Sequence, residues 1–143
     1  MKVVLDTNVI VSAIQQSDSL SRRLLRLVFL GHITPLLSNP LFLEYESVTQ
    51  RPDIMKNCRF SPIEAEQFLD ALFSVAQWIE VYFAWRPNLT DEGDNFLIEL
   101  AVAGNANCII SKNIKDLKRG ELLFPHIKIY SPQEFIAYWE SQA

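Results

Sequence analysis

Met1-Lys2-Val3-Val4-Leu5-Asp6-Thr7-Asn8-Val9-Ile10-Val11-Ser12-Ala13 opens the chain, and its reading decides the fold. Val3, Val4 and Leu5 make a short, β-branched apolar run that does not alternate with polar residues. Such a run suits a strand buried on both faces of a parallel sheet. It runs into Asp6, which then stands at the carboxyl end of the strand, where open α/β sheets place their ligand sites. Thr7 and Asn8 turn the chain, and Val9 to Ile14 read as the first turns of a helix. Alone, Asp6 reads as a cap for that helix. Later stretches that bring an acid to an equivalent place favour a site instead.

Working outward, the chain alternates strands and helices. Ser17 to Ser21 is a polar break, after which Leu20, Leu24, Leu27 and Val28 recur at helical spacing until Gly31 stops the helix. Ile33 to Leu37 reads as a second strand, with Pro35 pointing to an irregular or edge position. Asn39-Pro40 reads as an N-cap followed by proline at the first helical position. The helix it opens carries Leu41, Glu44, Tyr45 and Val48 on one stripe, so Glu44 is expected to face inward. An acid there loses hydration unless it is paired, bound to a cation, or snorkelling outward. Arg51 to Arg59 reads as a polar connection, and Ser61-Pro62-Ile63-Glu64 as a capping box opening a purely structural helix. Ile79 to Phe83 is a third strand, with Trp78, Tyr82, Phe83 and Trp85 read as packing.

Asp94 then sits where another helix begins, with Phe96, Leu97, Leu100 and Ala101 as its apolar positions and Gly104 as its stop. Ala106 to Ile110 is a fourth strand ending in Ser111-Lys112-Asn113-Ile114-Lys115-Asp116-Leu117. Ile127 to Tyr130 is a fifth, and Ser131-Pro132-Gln133-Glu134 is a second capping box. No linker or repeat divides the 143 residues, so they read as one domain.

Composition excludes several classes. A hydrophobic fraction of 49% with 21% charged residues is globular rather than disordered. No apolar run reaches the roughly 18 residues of a membrane span, and no signal-peptide pattern is present, so a cytoplasmic protein away from the membrane is expected. Cys58 and Cys108 do not make a metal knuckle or disulfide framework, and Cys108 reads as core. The net charge of -4 gives no global pull toward nucleic acid, which leaves room for an enzyme with a local basic rim.

A parallel sheet lines the carboxyl ends of its strands along one edge. Asp6, Asp94 and Asp116 each follow a strand or begin a helix there, and Glu44 hangs from the helix after strand two. Oxygen ligands without histidine or thiolate select a hard cation such as Mg²⁺ or Mn²⁺. Without one, the like charges repel and raise each other's pKa. Such a site does phosphoryl-transfer chemistry.

Asp6-Thr7-Asn8-Val9, Glu44, Asp94 with the following Phe96-Leu97-Ile98-Glu99-Leu100-Ala101, and Ser111 to Leu117 together resemble the PIN-domain nucleases. Within them the similarity is to the VapC-like toxin components of bacterial toxin–antitoxin systems, and it spans Met1 to about Phe135. The resemblance implies a three-layer α/β sandwich around a parallel five-stranded sheet of order 3-2-1-4-5. It also implies metal-dependent ribonuclease activity, an antitoxin partner and a homodimer. Carried over by residue, it makes Asp6, Glu44, Asp94 and Asp116 the catalytic, metal-binding acids, with Asn8, Ser111 and Asn113 orienting them. Many relatives have an acid where this chain has Asn113, so the fourth corner rests on Asp116. Phe96 replaces a lysine common in this branch, and Asp91 and Glu99 stay open as further ligands.

The expected reaction is hydrolysis of an RNA phosphodiester by metal-activated water, because neither His32 nor His126 is placed as a general base. Asp6 and Asp94 are expected to hold the metal, with Glu44 and Asp116 completing its shell directly or through water. Lys112, with Arg86 and Lys118, is the candidate phosphate contact. Two rivals remain open: a catalytically impaired PIN-like module that binds RNA or a partner, and a phosphatase using Asp6 as nucleophile. The second usually wants an acid two residues on, where Asn8 stands.

Overall fold

The computed structural model describes residues 1–15, 19–81, 92–117 and 124–142, and for 19, 92–96 and 116 it describes the backbone alone. Five strands pair in parallel: β1 (Lys2–Leu5), β2 (Thr34–Leu37), β3 (Gln77–Trp78), β4 (Cys108–Ile110) and β5 (Lys128–Tyr130), in the order β3-β2-β1-β4-β5. β1 is central, and Val3, Val4 and Leu5 are all fully buried, as a two-sided strand requires. Its register with β4 sets Leu5 opposite Ile110. The Asp6 N–H then donates to the Ile110 carbonyl at 2.9 Å, so the ladder carries through to the acid.

Helices α1 (Thr7–Gln15), α2 (Ser19–Phe29), α3 (Asn39–Val48), α4 (Pro52–Met55), α5 (Pro62–Val75), α6 (Glu92–Ala103) and α7 (Pro132–Ser141) cover the sheet. Right-handed crossovers put the connections β1-to-β2 and β2-to-β3 on one face and the return to β4 on the other, giving three layers. α7 packs back onto α2, and α3 meets α6. Both expected capping boxes form, at Ser61–Glu64 and at Ser131–Glu134. Among the described residues no helix is long and apolar enough to cross a membrane.

Several boundaries differ from the sequence reading. β2 is interior, with a strand on each side, although Pro35 suggested an edge. The Thr34 N–H donates to Met1 on the β1 side, so the Pro35 nitrogen faces β3, whose pairing begins only at Leu36. The missing N–H therefore costs no ladder bond. The third strand lies earlier than Ile79 to Phe83: it pairs at Gln77 and Trp78, and Ile79 donates to Leu37 at 2.8 Å. Tyr82, Phe83 and Trp85 lie outside the described residues, and Trp78 packs on Phe42 at 5.2 Å between ring centres. The cap of α3 is Ser38, whose hydroxyl accepts from the Leu41 N–H, one residue before the expected Asn39. The polar connection after Arg51 contains the short helix α4.

Gly104 ends α6 for a reason other than a left-handed turn. A Cβ there would stand 2.5 Å from Leu36 Cδ1 and 3.0 Å from Ile79 Cγ1, so glycine permits the helix end to approach β2. The left-handed residue is Asn105, with φ of 56°.

Candidate active site

The site is built on the junction of β1 with α1 and of β4 with the turn after it. Ser111, fully buried, donates its hydroxyl to Asp6 Oδ2 at 2.7 Å. The Asn8 amide donates to the same oxygen at 3.4 Å and to Ser111 Oγ at 3.3 Å. Asn8 Oδ1 accepts from the Lys112 backbone N–H at 3.1 Å, and Ser111 Oγ accepts from the Asn113 backbone N–H at 3.0 Å. Ser111 and Asn8 thus hold Asp6 in one orientation, and Asn113 supports Ser111. Asn113 contributes through its backbone N–H, which any residue but proline supplies.

Burial raises the Asp6 pKa above the ordinary carboxylate value, and the Glu44 charge raises it further. The Ser111 hydroxyl and the backbone N–H groups of Thr7 and Asn8 pull it down, but by less than burial pushes it up. Asp6 therefore carries a charge that its own surroundings only partly compensate.

Glu44 lies near enough to Asp6 for its charge to be felt there, but it does not face inward. Leu41, Tyr45 and Val48 are buried while Glu44 is exposed. At 3.6 residues per turn, Glu44 lies roughly 60° round the helix from Leu41, on the flank of the stripe. It stands at the rim, close enough for its charge to act on Asp6 and Tyr45. Asp94 lies in the first turn of α6, the helix that meets α3, and Asp116 in the 3₁₀ turn Ile114–Asp116 after β4. The side chains of both, with Asp91, Arg86 and Lys118, lie outside the described residues. Among the described residues no three His, Cys, Asp or Glu side chains come together. Glu99 is half-buried on α6.

Tyr45 is a residue the sequence reading treated as packing alone. Its phenol donates to the Leu5 carbonyl, one residue before Asp6, and ties α3 to the end of β1. The signal was available: a tyrosine on a buried stripe needs a partner for its hydroxyl, which phenylalanine does not. Burial, with Asp6 and Glu44 adding, holds its pKa well above the usual phenol value, so it serves as a donor and not as a base. The histidines are elsewhere, His32 against Trp139 and His126 against Phe124. Cys108 is core, its thiol pushed up to about 12 by burial.

The donor chemistry fits a hard cation. Asp6 is a desolvated carboxylate oriented by neutral donors, Glu44 brings a second carboxylate, and the described atoms around them offer oxygen rather than sulfur or imidazole.

The family model described as the PIN domain matches residues 2–115. This chain belongs to the PIN domain family. PIN domains are nucleases, and they generally use divalent metal ions, which agrees with the donor chemistry of this one. A chain of the crystal structure of VapBC2 from Rickettsia felis bound to a DNA fragment from their promoter has the same fold. It aligns with a TM-score of 0.63 at 19% identity, over 92% of this PIN domain and 98% of that chain. No curated protein matches the sequence.

Proposed function

We propose that this PIN domain is a metal-dependent endoribonuclease acting as the toxin of a toxin–antitoxin pair. The observation that carries the reading is the oriented, undercompensated carboxylate of Asp6, with Glu44 across from it. Asp6, Glu44, Asp94 and Asp116 would hold Mg²⁺ or Mn²⁺, which supplies Lewis acidity toward a phosphate oxygen and toward attacking water. The chain's own part is positional. Ser111 and Asn8 occupy Oδ2 of Asp6, while Tyr45 fixes the strand end from below. The same hydrogen bonds argue against the phosphatase reading, since Asn8 serves as an orienting donor where a second acid is wanted.

Incubation with labelled single-stranded RNA tests the reading. Cleavage with Mg²⁺ or Mn²⁺ that stops on adding EDTA, without turnover of p-nitrophenyl phosphate, is the expected result. Binding without cleavage would favour the impaired module, and cleavage persisting in EDTA would sink the metal.

The partner reading has its own support. A groove of about 380 Å³ between α2 and α5 is lined by Arg22, Phe29, Leu30, Phe60 and Phe68. Leu30 is 64% exposed, and the Arg22 guanidinium lies 5.3 Å over the Phe60 ring. Nε and Nη2 of Arg22 are buried with no hydrogen-bond partner among the described residues, and Arg59 crowds it with like charge. An antitoxin segment bearing apolar side chains and a carboxylate complements that groove. Leu30→Asp should weaken binding of a helical peptide bearing apolar side chains and a carboxylate, and leave RNA cleavage intact. Homodimerisation belongs to the same proposal, and light scattering of the purified chain reads it.

A further inference from the structure

Ser12 lies outside the family pattern described above, and Lys112, inside its Ser111 to Leu117 stretch, is not one of the acids. Ser12 is 3% exposed on α1, one turn beyond Asn8, so the two residues lie on the same face of the helix. Lys112 reaches both. Its backbone N–H donates to Asn8 Oδ1 at 3.1 Å, and its Nζ donates to Ser12 Oγ at 2.7 Å. The amide of Asn8 is thereby fixed end to end: Oδ1 is taken by Lys112, which leaves Nδ2 to donate to Asp6 and Ser111. A reversed amide would set N–H against N–H at Lys112 and an oxygen against the Asp6 carboxylate. We propose that Ser12 and Lys112 are a positioning pair, which docks the turn after β4 onto α1 and through Asn8 fixes the carboxylate of Asp6. In this role the Lys112 ammonium grips the protein, not the substrate phosphate. The inference rests on the nuclease reading for its kinetic consequence, but not for its geometry.

Three variants test it: Ser12→Ala, Lys112→Met and Lys112→Arg. With a short single-stranded RNA, Ser12→Ala and Lys112→Met should each lower kcat about tenfold, as loss of an orienting partner does, with KM little changed. Lys112→Arg, which keeps a donor for Ser12, should recover most of kcat. Ser12→Ala leaves almost no cavity, so it reports even if Lys112→Met folds poorly. A raised KM in Lys112→Met beside a silent Ser12→Ala would overturn the proposal and make Lys112 a phosphate contact. A lowered Tm with unchanged kcat in Ser12→Ala would also overturn it, leaving a structural hydrogen bond. Should wild type cleave no RNA, the nuclease reading fails and the pair is read by melting. A Mg²⁺-induced rise in Tm that is smaller in Ser12→Ala than in wild type supports positioning, and an equal or absent rise overturns it.

Discussion

Ser111 and Asp6, 105 positions apart in the chain, are joined by a 2.7 Å hydrogen bond from hydroxyl to carboxylate. The link exists because β4 pairs with β1 in a register that sets Ile110 beside Leu5, so the residue after each strand meets its counterpart. Ser111→Ala removes the shorter of the two side-chain hydrogen bonds to Asp6 and leaves the backbone untouched. The expected cost is about 10–100-fold in RNA cleavage, the usual consequence of losing an orienting partner at a metal site. Steady-state rates at saturating Mg²⁺ check it, and wild-type activity would show that Asn8 suffices.

Tyr45→Phe probes the other support. The substitution keeps the ring, which stacks on Phe73, and deletes only the hydroxyl that donates to Leu5. Losing a buried hydrogen bond costs about 1–3 kcal/mol, so the midpoint of urea unfolding should fall with an unchanged m-value. An unchanged midpoint would mean that the Leu5 carbonyl is satisfied without Tyr45.

Much of this arrangement was legible in the sequence, and the exceptions have physical causes. Val3-Val4-Leu5 announced a two-sided strand because a short, β-branched-rich apolar run without alternation suits a strand buried on both faces. The boxes at Ser61 and Ser131 were legible because capping is local chemistry. Pro35 misled because its cost depends on which side the nitrogen faces, a property of register and not of composition. Gly104 was legible as the helix stop, since α6 ends at Ala103, but the close approach of the Leu36 and Ile79 side chains to its Cα was not. Glu44 was placed on the right helix, but the width of the buried stripe, set by tertiary packing, decided that it reaches the rim. The Ser12–Lys112 contact could not be read at all, since 100 residues separate its ends.

The fourth corner is tested by comparing Asp116→Asn with Asp6→Asn. Asp6 sits at the end of the central strand and is held by several donors, whereas Asp116 lies in a single 3₁₀ turn. Asp116→Asn should cost about 10–100-fold in cleavage, as for an outer partner of a metal site, and Asp6→Asn more. Equal losses would make Asp116 a primary ligand.

Melting of Asp6→Asn tests the central claim that Asp6 is a metal-binding carboxylate. The folded state raises the Asp6 pKa above the ordinary 3.8, so the fold favours the protonated acid. That contribution is present below pH 3.8 and is lost as pH rises through the raised value, beyond which the buried charge weakens the metal-free fold. At pH 7 in EDTA, Asp6→Asn should therefore melt above wild type, against the usual cost of about 1 kcal/mol for a substitution. Mg²⁺ at about tenfold its dissociation constant should stabilise wild type by roughly 1.4 kcal/mol, or about 3–6 °C, and the mutant should lose most of that gain. Four curves suffice: wild type and Asp6→Asn, each with EDTA and with Mg²⁺. A mutant that melts below wild type in EDTA and still responds fully to Mg²⁺ would make Asp6 a structural cap and contradict the account.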